Sequence, residues 1–396
     1  MRLLAAHSTR HAARLRRAVG SLMAGVIVAV GVAAGPAHAQ TGAAKPAEPF
    51  KVGTFEIRKA PTVGLVLRDS LIVDIAAANA AVPGTKLAAP RDMIDLIERY
   101  DSGLRARFVD IVNYLAASNR LTTARPDYVH DLKSVRTLPP ILYPSKILNA
   151  AVNFYSHVNE AGTAEQQAAA RKQRREQRGV PYLFLKPGRG AVVGNGDNVV
   201  IPWGRDRIDW EVELGAVIGR TAKYVEARNA QDHVFGYMVS IDVSDRGGRP
   251  PGGYGSGSDW FVGKGHDTFA PQGPWIVPKE FYGDPMKILR QTLSVGGTQL
   301  QEAGPGDMIH SLWELIEYGS SIVTLFPGDV INNGTSGGTA AGSAQTRTGS
   351  RFLKPGEVIE ASIDGIGTLR MPVIAGPRPP GATGARLPPV STYRKQ

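Results

Sequence analysis

The stretch that most restricts the fold of this chain runs from Arg207 to Gly219 and reads RIDWEVELGAVIG. Its three acids, Asp209, Glu211 and Glu213, alternate with apolar residues. Successive side chains of a β-strand point to opposite faces, so the pattern predicts a strand with three carboxylates on one face. Such carboxylates repel one another, and burying them costs desolvation free energy. The fold must therefore bring cations or protons to that face.

A further acid, Asp242, ends another apolar run, GYMVSID. Hard divalent cations such as Mg²⁺, Mn²⁺ or Ca²⁺ prefer oxygen ligands, and we predict that Glu211, Glu213 and Asp242 hold one. Asp209 would then flank the ligands or face solvent. The alternative interpretation is a half-exposed strand whose acids are simply hydrated.

The first 39 residues have the three-part layout of a secretory signal peptide. Five arginines and an apolar run precede the sequence AHA, which predicts cleavage after Ala39. A retained membrane anchor is the alternative, but the apolar run is short for a span and ends at Pro36. We expect a periplasmic or secreted protein, exported by the Sec or the Tat route, without a permanent membrane span after cleavage.

Composition excludes several kinds of chemistry. The chain has no cysteine, so disulfides, thiolate catalysis and cysteine-bound zinc are ruled out. Cleavage would leave 357 of the 396 residues and lower the formal charge from +11 to +6, because the leader holds five arginines. The basic run at 170–179, ARKQRREQRG, lacks interleaved aromatic residues. We therefore predict an exposed helix there and no nucleic-acid partner.

Periodicity and turn residues divide the chain into five segments. The signal peptide covers 1–39 and a linker 40–49; a small α+β domain follows at 50–145, a strand-rich domain at 146–376 and a flexible tail at 377–396. The predicted fold class is therefore α+β and mainly β.

One pair of residues is suited to proton transfer. His157 and Glu160 are three positions apart in NFYSHVNE, so a single helical turn would place them on one face. A carboxylate that orients an imidazole prepares it to take a proton from water. An isolated pair of this kind is otherwise an ordinary surface contact.

Four other polar side chains are candidates for substrate contacts. Lys186 and Lys264 follow apolar residues, where each either covers apolar surface with its stem or stabilises a developing enolate or oxyanion. Arg246 lies four residues after Asp242 and could grip a substrate carboxylate with its planar fork. Thr335 lies in a glycine-rich turn and could donate to the same carboxylate.

Taken together, these residues resemble motifs of the fumarylacetoacetate hydrolase family, which includes acylpyruvate hydrolases and 2-oxo-acid hydratases, isomerases and decarboxylases. Six segments match in order between about 147 and 374: LNAAVNFYSHVNE, PYLFLKP, DWEVELGAVIG, GYMVSIDVSDR, DWFVGKGHDTFAPQGPWIV and LFPGDVINNGTSGG. The resemblance implies a β-roll or distorted β-barrel catalytic domain, a smaller N-terminal domain and a homodimer. It also implies that His157 and Glu160 activate the attacking water.

The resemblance leads to a specific prediction. We expect a divalent-metal-dependent hydrolase that cleaves a C–C bond in a small anionic 1,3-dicarbonyl or acylpyruvate-type 2-oxo acid. Hydration, isomerisation or decarboxylation of an unsaturated 2-oxo diacid is the alternative, and a non-catalytic exported binding protein is a third.

Two departures from the family concern the substrate pocket. The loop after Arg246, GGRPPGGYGSGSDW, lacks the glutamine with which many relatives contact substrate. The segment between Glu160 and Pro181 is long and basic, and could act as a lid.

Overall fold

The computed structural model describes residues 45–117, 119–247, 259–343 and 351–380. The predicted signal peptide, the first half of the predicted linker and most of the predicted tail lie outside the described residues. So do most of the glycine- and proline-rich loop after Arg246 and the segment 344–350.

Strands dominate the described part of the chain. The first five strands are β1 Lys51–Ile57, β2 Ala60–Leu67, β3 Leu71–Asp74, β4 Val129–Asp131 and β5 Arg136–Leu138. The next nine are β6 Ile147–Ala150, β7 Leu183–Lys186, β8 Val192–Val193, β9 Val199–Ile201, β10 Ile208–Asp209, β11 Val212–Ile218, β12 Val234–Ile241, β13 Ser244–Asp245 and β14 Ala270–Pro278. The last five are β15 Gln291–Val295, β16 Thr298–Ala303, β17 Val330–Asn332, β18 Val358–Ile363 and β19 Gly367–Ala375.

The α-helices are short and lie between the strands. They are α1 Ile75–Ala81, α2 Met93–Arg99, α3 Arg105–Ala116, α4 Ala164–Glu176, α5 Trp260–Lys264, α6 Lys279–Tyr282, α7 Pro285–Ile288 and α8 Leu312–Ile322. The predicted α+β, mainly-β class is confirmed. Within the described residues, no helix is both long enough and apolar enough to cross a membrane.

The described strands form one large mixed sheet, one five-stranded sheet and one two-stranded pair. The large sheet has the order β4-β3-β2-β1-β14-β12-β11-β17-β6-β7, with β5 beside β1 and β8 beside β14. The five-stranded sheet has the order β16-β15-β18-β19-β9, and β10 pairs with β13. Because β1 pairs with β14, the large sheet includes strands from both predicted domains. The division at residue 145 stays a prediction.

Local chemistry explains the turns of the N-terminal part. The chain turns between β2 and β3 at Arg68 and Asp69, which both have positive φ angles, 54° and 52°, as a tight type I′ turn requires. The helical run after residue 92 is interrupted at Gly103, whose φ of 112° favours glycine. The chain bends there, so α2 and α3 are separate helices.

The central strands β11, β12 and β14 are buried on both faces, and the two faces differ. On one face, side chains such as Leu214 and Val239 pack in a core shared with the five-stranded sheet. On the other, Val217 and Met238 belong to a core shared with α2 and α3. Because side chains alternate along a strand, Glu213 shares this second face with Val217. The second face is therefore apolar at one end and carboxylate-bearing at the other.

Candidate functional site

The three alternating acids Asp209, Glu211 and Glu213, which we call the acidic row, lie along two successive strands instead of the single strand predicted. Glu211 falls between β10 and β11, which pair with β13 and β12 in one continuous antiparallel register. That register places Glu211 opposite Asp242, and the backbone N–H of Asp242 donates to the carbonyl of Glu211 at 2.9 Å. The alternation of side chains continues across the break, so Glu211 and Glu213 still share a face.

The three predicted metal ligands come together. One carboxylate oxygen from each of Glu211, Glu213 and Asp242 lies within 4.8 Å of the others. These residues are only 4%, 1% and 1% exposed, so the alternative of hydrated strand acids does not hold. A buried set of three hard, anionic oxygen donors fits a divalent cation such as Mg²⁺, Mn²⁺ or Ca²⁺.

The protein itself supplies cations to this cluster. The ammonium of Lys264 donates to Glu211 at 2.8 Å, to Asp242 at 2.5 Å and to the hydroxyl of Ser244 at 2.6 Å. Lys186, fully buried, donates to the other oxygen of Asp242. Two lysines predicted to contact substrate thus lie directly against the predicted metal ligands. Ser244 was not singled out from the sequence, although it lies only two residues after Asp242.

The two buried lysines differ in their pKa. Burial lowers the pKa of Lys186 to about 8, in spite of the neighbouring Asp242 carboxylate, and the charge of Lys264 adds to the lowering. For Lys264, burial also favours the neutral form, but Asp242 and Glu211 outweigh it and raise its pKa. Lys264 is therefore the more firmly charged partner of the carboxylates.

The glutamates also differ. Burial alone would raise the pKa of Glu211, but Lys264 and Arg246 lower it to about 2. Burial raises the pKa of Glu213 well above its ordinary value, and the charges of Asp242 and Glu211 add to this effect. Among the described residues, Glu213 is in no ion pair within 4 Å, so it is the carboxylate of the three that most lacks a positive partner.

Glu213 is held by a neutral side chain. Asn149 donates from Nδ2 to Glu213 at 3.2 Å, and it reaches this position because β6 and β11 both neighbour β17. Asn149 is completely buried, and its Oδ1 has no hydrogen-bond partner among the described residues. Asn149 was not predicted from the sequence. The pattern that could have indicated it is an amide side chain within the apolar strand ILNA.

Arg246 contacts acids of the row. Its Nε donates to Asp209 at 3.0 Å, and its guanidinium also pairs with Glu211. Asp209 is completely buried, so the expectation that it flanks the ligands is met and the solvent-facing alternative is not. Arg246 therefore holds one carboxylate of the metal cluster, a contact that differs from the substrate grip predicted for it.

The predicted dyad forms, but not on an α-helix. His157 ends a 3₁₀ turn, Tyr155–His157, and Asn159 has a φ of 50°. This tight path brings His157 Nδ1 to 2.7 Å from Glu160 Oε2. The charges of Lys264 and Arg246, and then that of a protonated His157, lower the pKa of Glu211.

Glu160 is anchored by a turn that follows β17. Its carboxylate accepts the backbone N–H of Gly338 at 2.5 Å and that of Thr339 at 3.0 Å, together with the Thr339 hydroxyl at 2.9 Å. These partners are about 180 residues away from Glu160 along the chain. Two of them donate through backbone N–H groups, so no sequence pattern could have indicated them.

Thr335 is buried beside the metal strand. Its hydroxyl donates to the carbonyl of Val212 at 3.0 Å and accepts from Gln301 at 2.9 Å. The hydroxyl proton predicted for a substrate carboxylate is thus already used to fix the start of β11.

Comparisons with known proteins agree with this geometry. Residues 146–374 match the family model described as fumarylacetoacetate (FAA) hydrolase C-terminal. The chain is 39% identical over 193 residues to a 2,4-didehydro-3-deoxy-L-rhamnonate hydrolase of Sphingomonas sp., covering 49% of this chain and 65% of that relative. It is 32% identical over 283 residues to a mitochondrial oxaloacetate tautomerase of Bos taurus, covering 71% of this chain and 79% of the relative.

Solved structures of similar proteins share the fold. A maleylpyruvate hydrolase from Sphingobium sp. SYK-6, in complex with manganese(II) and pyruvate, superposes with a TM-score of 0.60 at 27% identity, over 83% of this chain and 100% of that one. A 5-carboxymethyl-2-hydroxymuconate delta-isomerase from Mycobacterium smegmatis gives 0.56 at 25% identity, over 83% and 100%. The relatives thus include hydrolases, isomerases and tautomerases. Because the family model matches more than half of this chain, the chain belongs to the fumarylacetoacetate hydrolase family.

Proposed function

We propose that this protein is a divalent-metal-dependent hydrolase that cleaves a C–C bond in a small acylpyruvate-type 2-oxo acid or 1,3-dicarbonyl compound. The observation that carries the proposal is the buried cluster of Glu211, Glu213 and Asp242, together with the hydrogen-bonded His157–Glu160 pair. A divalent cation held by the three carboxylates supplies a Lewis acid for the 2-oxo carboxylate or dicarbonyl unit.

The residues of the chain then take separate roles. Glu160 accepts from His157 Nδ1 and holds the ring, so that Nε2 takes a proton from the attacking water. Water adds to the carbonyl carbon of the substrate, the adjacent C–C bond breaks, and its electron pair leaves as an enolate. Lys264 is positioned among the carboxylates to stabilise that negative charge. Lys186 fixes the orientation of Asp242.

The similar proteins support the substrate class. The maleylpyruvate hydrolase was crystallised with pyruvate and manganese, and the rhamnonate hydrolase acts on a sugar-derived acid. We propose Mg²⁺ as the native metal, with Mn²⁺ or Ca²⁺ as substitutes.

A second candidate is tautomerisation or isomerisation of a 2-oxo diacid. It is favoured by the oxaloacetate tautomerase, which is similar over 71% of this chain, and by the delta-isomerase of similar fold. Proton transfer by His157 between carbon and oxygen would serve this reaction without an attacking water.

One experiment separates the two candidates. Purified protein is incubated with Mg²⁺ and either acetylpyruvate or the enol form of oxaloacetate, and pyruvate release and enol absorbance are followed. Hydrolysis predicts pyruvate from acetylpyruvate and its loss in His157→Ala and Glu160→Gln. Loss of enol absorbance without pyruvate would support the tautomerase. Binding of either compound without turnover, unchanged in His157→Ala, would favour a non-catalytic binding protein.

Export and assembly are further proposals. We propose that the leader is removed after Ala39 in the periplasm or on secretion, which N-terminal sequencing of the exported chain would test by finding Gln40 first.

We also propose a homodimer. Exposed apolar side chains lie at β7, the last strand of the large sheet in the described chain: Leu185 within the strand and Tyr182 just before it. Light scattering on a sizing column would give the mass, and a monomer would exclude this assembly.

A further inference from the structure

Two carboxylates share the turn that follows β17. Four successive backbone N–H groups, those of residues 338–341, point to two acids, and we call this segment the amide turn. Its first two N–H groups donate to Glu160, at 2.5 and 3.0 Å. Its last two donate to Asp209, at 2.6 and 3.1 Å. One short piece of backbone therefore connects the acid of the dyad with the acid of the metal strand.

Each of these acids also holds a residue of the site. Glu160 accepts from His157, the proposed base, at 2.7 Å. Asp209 accepts from Arg246 Nε at 3.0 Å, and the same guanidinium pairs with the metal ligand Glu211. A continuous path of hydrogen bonds and ion pairs thus joins the imidazole to the metal cluster, and the amide turn is its middle link.

The amide turn has little freedom to move. Gly338 has a φ of 99°, and a β-carbon there would lie 1.8 Å from the carbonyl oxygen of Leu300. The carbonyl of Gly338 accepts from the indole of Trp210 at 3.1 Å. Just beyond the turn, a β-carbon at Gly342 would lie 1.9 Å from the carboxyl carbon of Glu160. Packing therefore transmits a displacement of either acid instead of absorbing it.

We propose that Asp209 is a positioning residue that couples the His157–Glu160 dyad to the metal ligand Glu211 through the amide turn and Arg246. The effect of this coupling on catalysis rests on the proposed function. The structural link from Asp209 to Glu211 does not depend on the proposed function. Asp209 is not one of the three predicted metal ligands, and it would act on them through its neighbours.

An amide at position 209 breaks the coupling with little change in shape. Both oxygens of Asp209 face donors: Oδ1 accepts from the N–H groups of Trp210 and Ala340, and Oδ2 accepts from Ala341 and Arg246. In Asp209→Asn one of these oxygens becomes an NH₂ group, which faces donors whichever way the amide is turned. Arg246 also loses one of its negative partners, so its pull on Glu211 changes.

The test measures metal binding and dyad geometry separately from turnover. Mn²⁺ affinity is measured by calorimetry, and the ring of His157 is followed by its ¹H–¹³C NMR signal at fixed pH. In Asp209→Asn we expect Mn²⁺ affinity to fall roughly 10-fold, the lower end of the cost of losing a partner of a metal ligand, because Asp209 reaches Glu211 through Arg246. We also expect the His157 signal to shift.

Two further variants make the result specific. Asp329→Asn is the matched control, because Asp329 is an equally buried carboxylate with backbone partners at the far end of β11; it should leave both readouts unchanged. Gly342→Ala displaces Glu160 from the opposite side. Because coupling between sites is reciprocal, it should shift the His157 signal and lower Mn²⁺ affinity as well.

Opposite results would overturn the proposal. If Asp209→Asn folds, binds Mn²⁺ like the wild type and leaves the His157 signal in place, Asp209 is an ordinary buried anchor. If Asp209→Asn does not fold, Gly342→Ala decides: a shifted His157 signal with unchanged Mn²⁺ affinity excludes coupling. A wild type that binds Mn²⁺ but converts no dicarbonyl or 2-oxo acid would remove the proposed function and leave these two readouts valid.

Discussion

Buried carboxylates in this protein fall into two groups that are stabilised in different ways. Asp209, Glu160 and Asp329 accept backbone N–H groups, which neither dissociate nor change partners. Glu211 and Asp242 are instead held by side-chain cations, chiefly the buried ammonium of Lys264 that they share. Backbone donors cannot be exchanged, whereas a carboxylate that is paired with an ammonium could take a metal ion as a further partner. On the proposed function, the difference separates the carboxylates that hold the site from those that would bind the metal.

The largest expected effect comes from removing one acid of the lysine-paired group. Asp242→Asn deletes a charge from the cluster and leaves Lys186 and Lys264 with less negative charge to balance them. We expect Mn²⁺ affinity to fall by more than about 100-fold, beyond the loss of an outer partner, and turnover to fall with it. Calorimetry measures the affinity. Affinity within a few-fold of wild type would mean that the three carboxylates are not the metal site.

The metal itself should stabilise the fold. Because only the folded chain brings the three carboxylates within 4.8 Å, a bound ion adds about 2.7 kcal/mol to the free energy of unfolding at about 100-fold excess over its Kd. Thermal unfolding with EDTA and then with rising Mn²⁺ or Mg²⁺ measures this. Asp242→Asn should show no such increase, and an increase of equal size in that variant would place the ion elsewhere.

The sequence indicated the predicted metal ligands and the His157–Glu160 pair better than it indicated the backbone-anchored acid Asp209. Glu211 and Glu213 were detectable because their alternation is local, and Asp242 because it ends an apolar strand. His157 and Glu160 were paired correctly, though by a 3₁₀ turn instead of a helix. In contrast, Asp209 was left open between two roles.

The reason lies in where the partners come from. The N–H groups that hold Asp209 are about 130 residues away, and every residue except proline offers the same donor. Asn149 reaches Glu213 only through the neighbours of β17, a parallel pairing that the sequence does not encode locally. The prediction that Arg246 binds a substrate carboxylate likewise did not take into account Asp209, which folding brings beside Arg246.

Replacing a backbone-anchored carboxylate that lies outside the site should lower the free energy of unfolding and leave metal binding unchanged. In Asp329→Asn, the new NH₂ group faces the backbone N–H of either Lys146 or Phe326, and the ammonium of Lys146 loses its charged partner. Leaving such buried groups unpaired costs about 1–3 kcal/mol. Urea unfolding of wild type and variant, each in EDTA, gives the difference. Reduced Mn²⁺ affinity in this variant would contradict the division into two groups.

The smallest expected effect tests whether backbone donors or side chains fix Glu160. Thr339→Val removes the hydroxyl that donates to Glu160 at 2.9 Å, but the N–H groups of Gly338 and Thr339 remain. If backbone donors do the anchoring, the free energy of unfolding falls by only about 0.5–1.5 kcal/mol, Mn²⁺ affinity is unchanged, and the His157 NMR signal stays in place. Thr339→Ser, which keeps the hydroxyl, is the control and should match the wild type in Mn²⁺ affinity and in the His157 signal. A large shift of the His157 signal in Thr339→Val alone would show that a single hydroxyl orients the dyad, and the backbone-anchored group would lose Glu160 as a member.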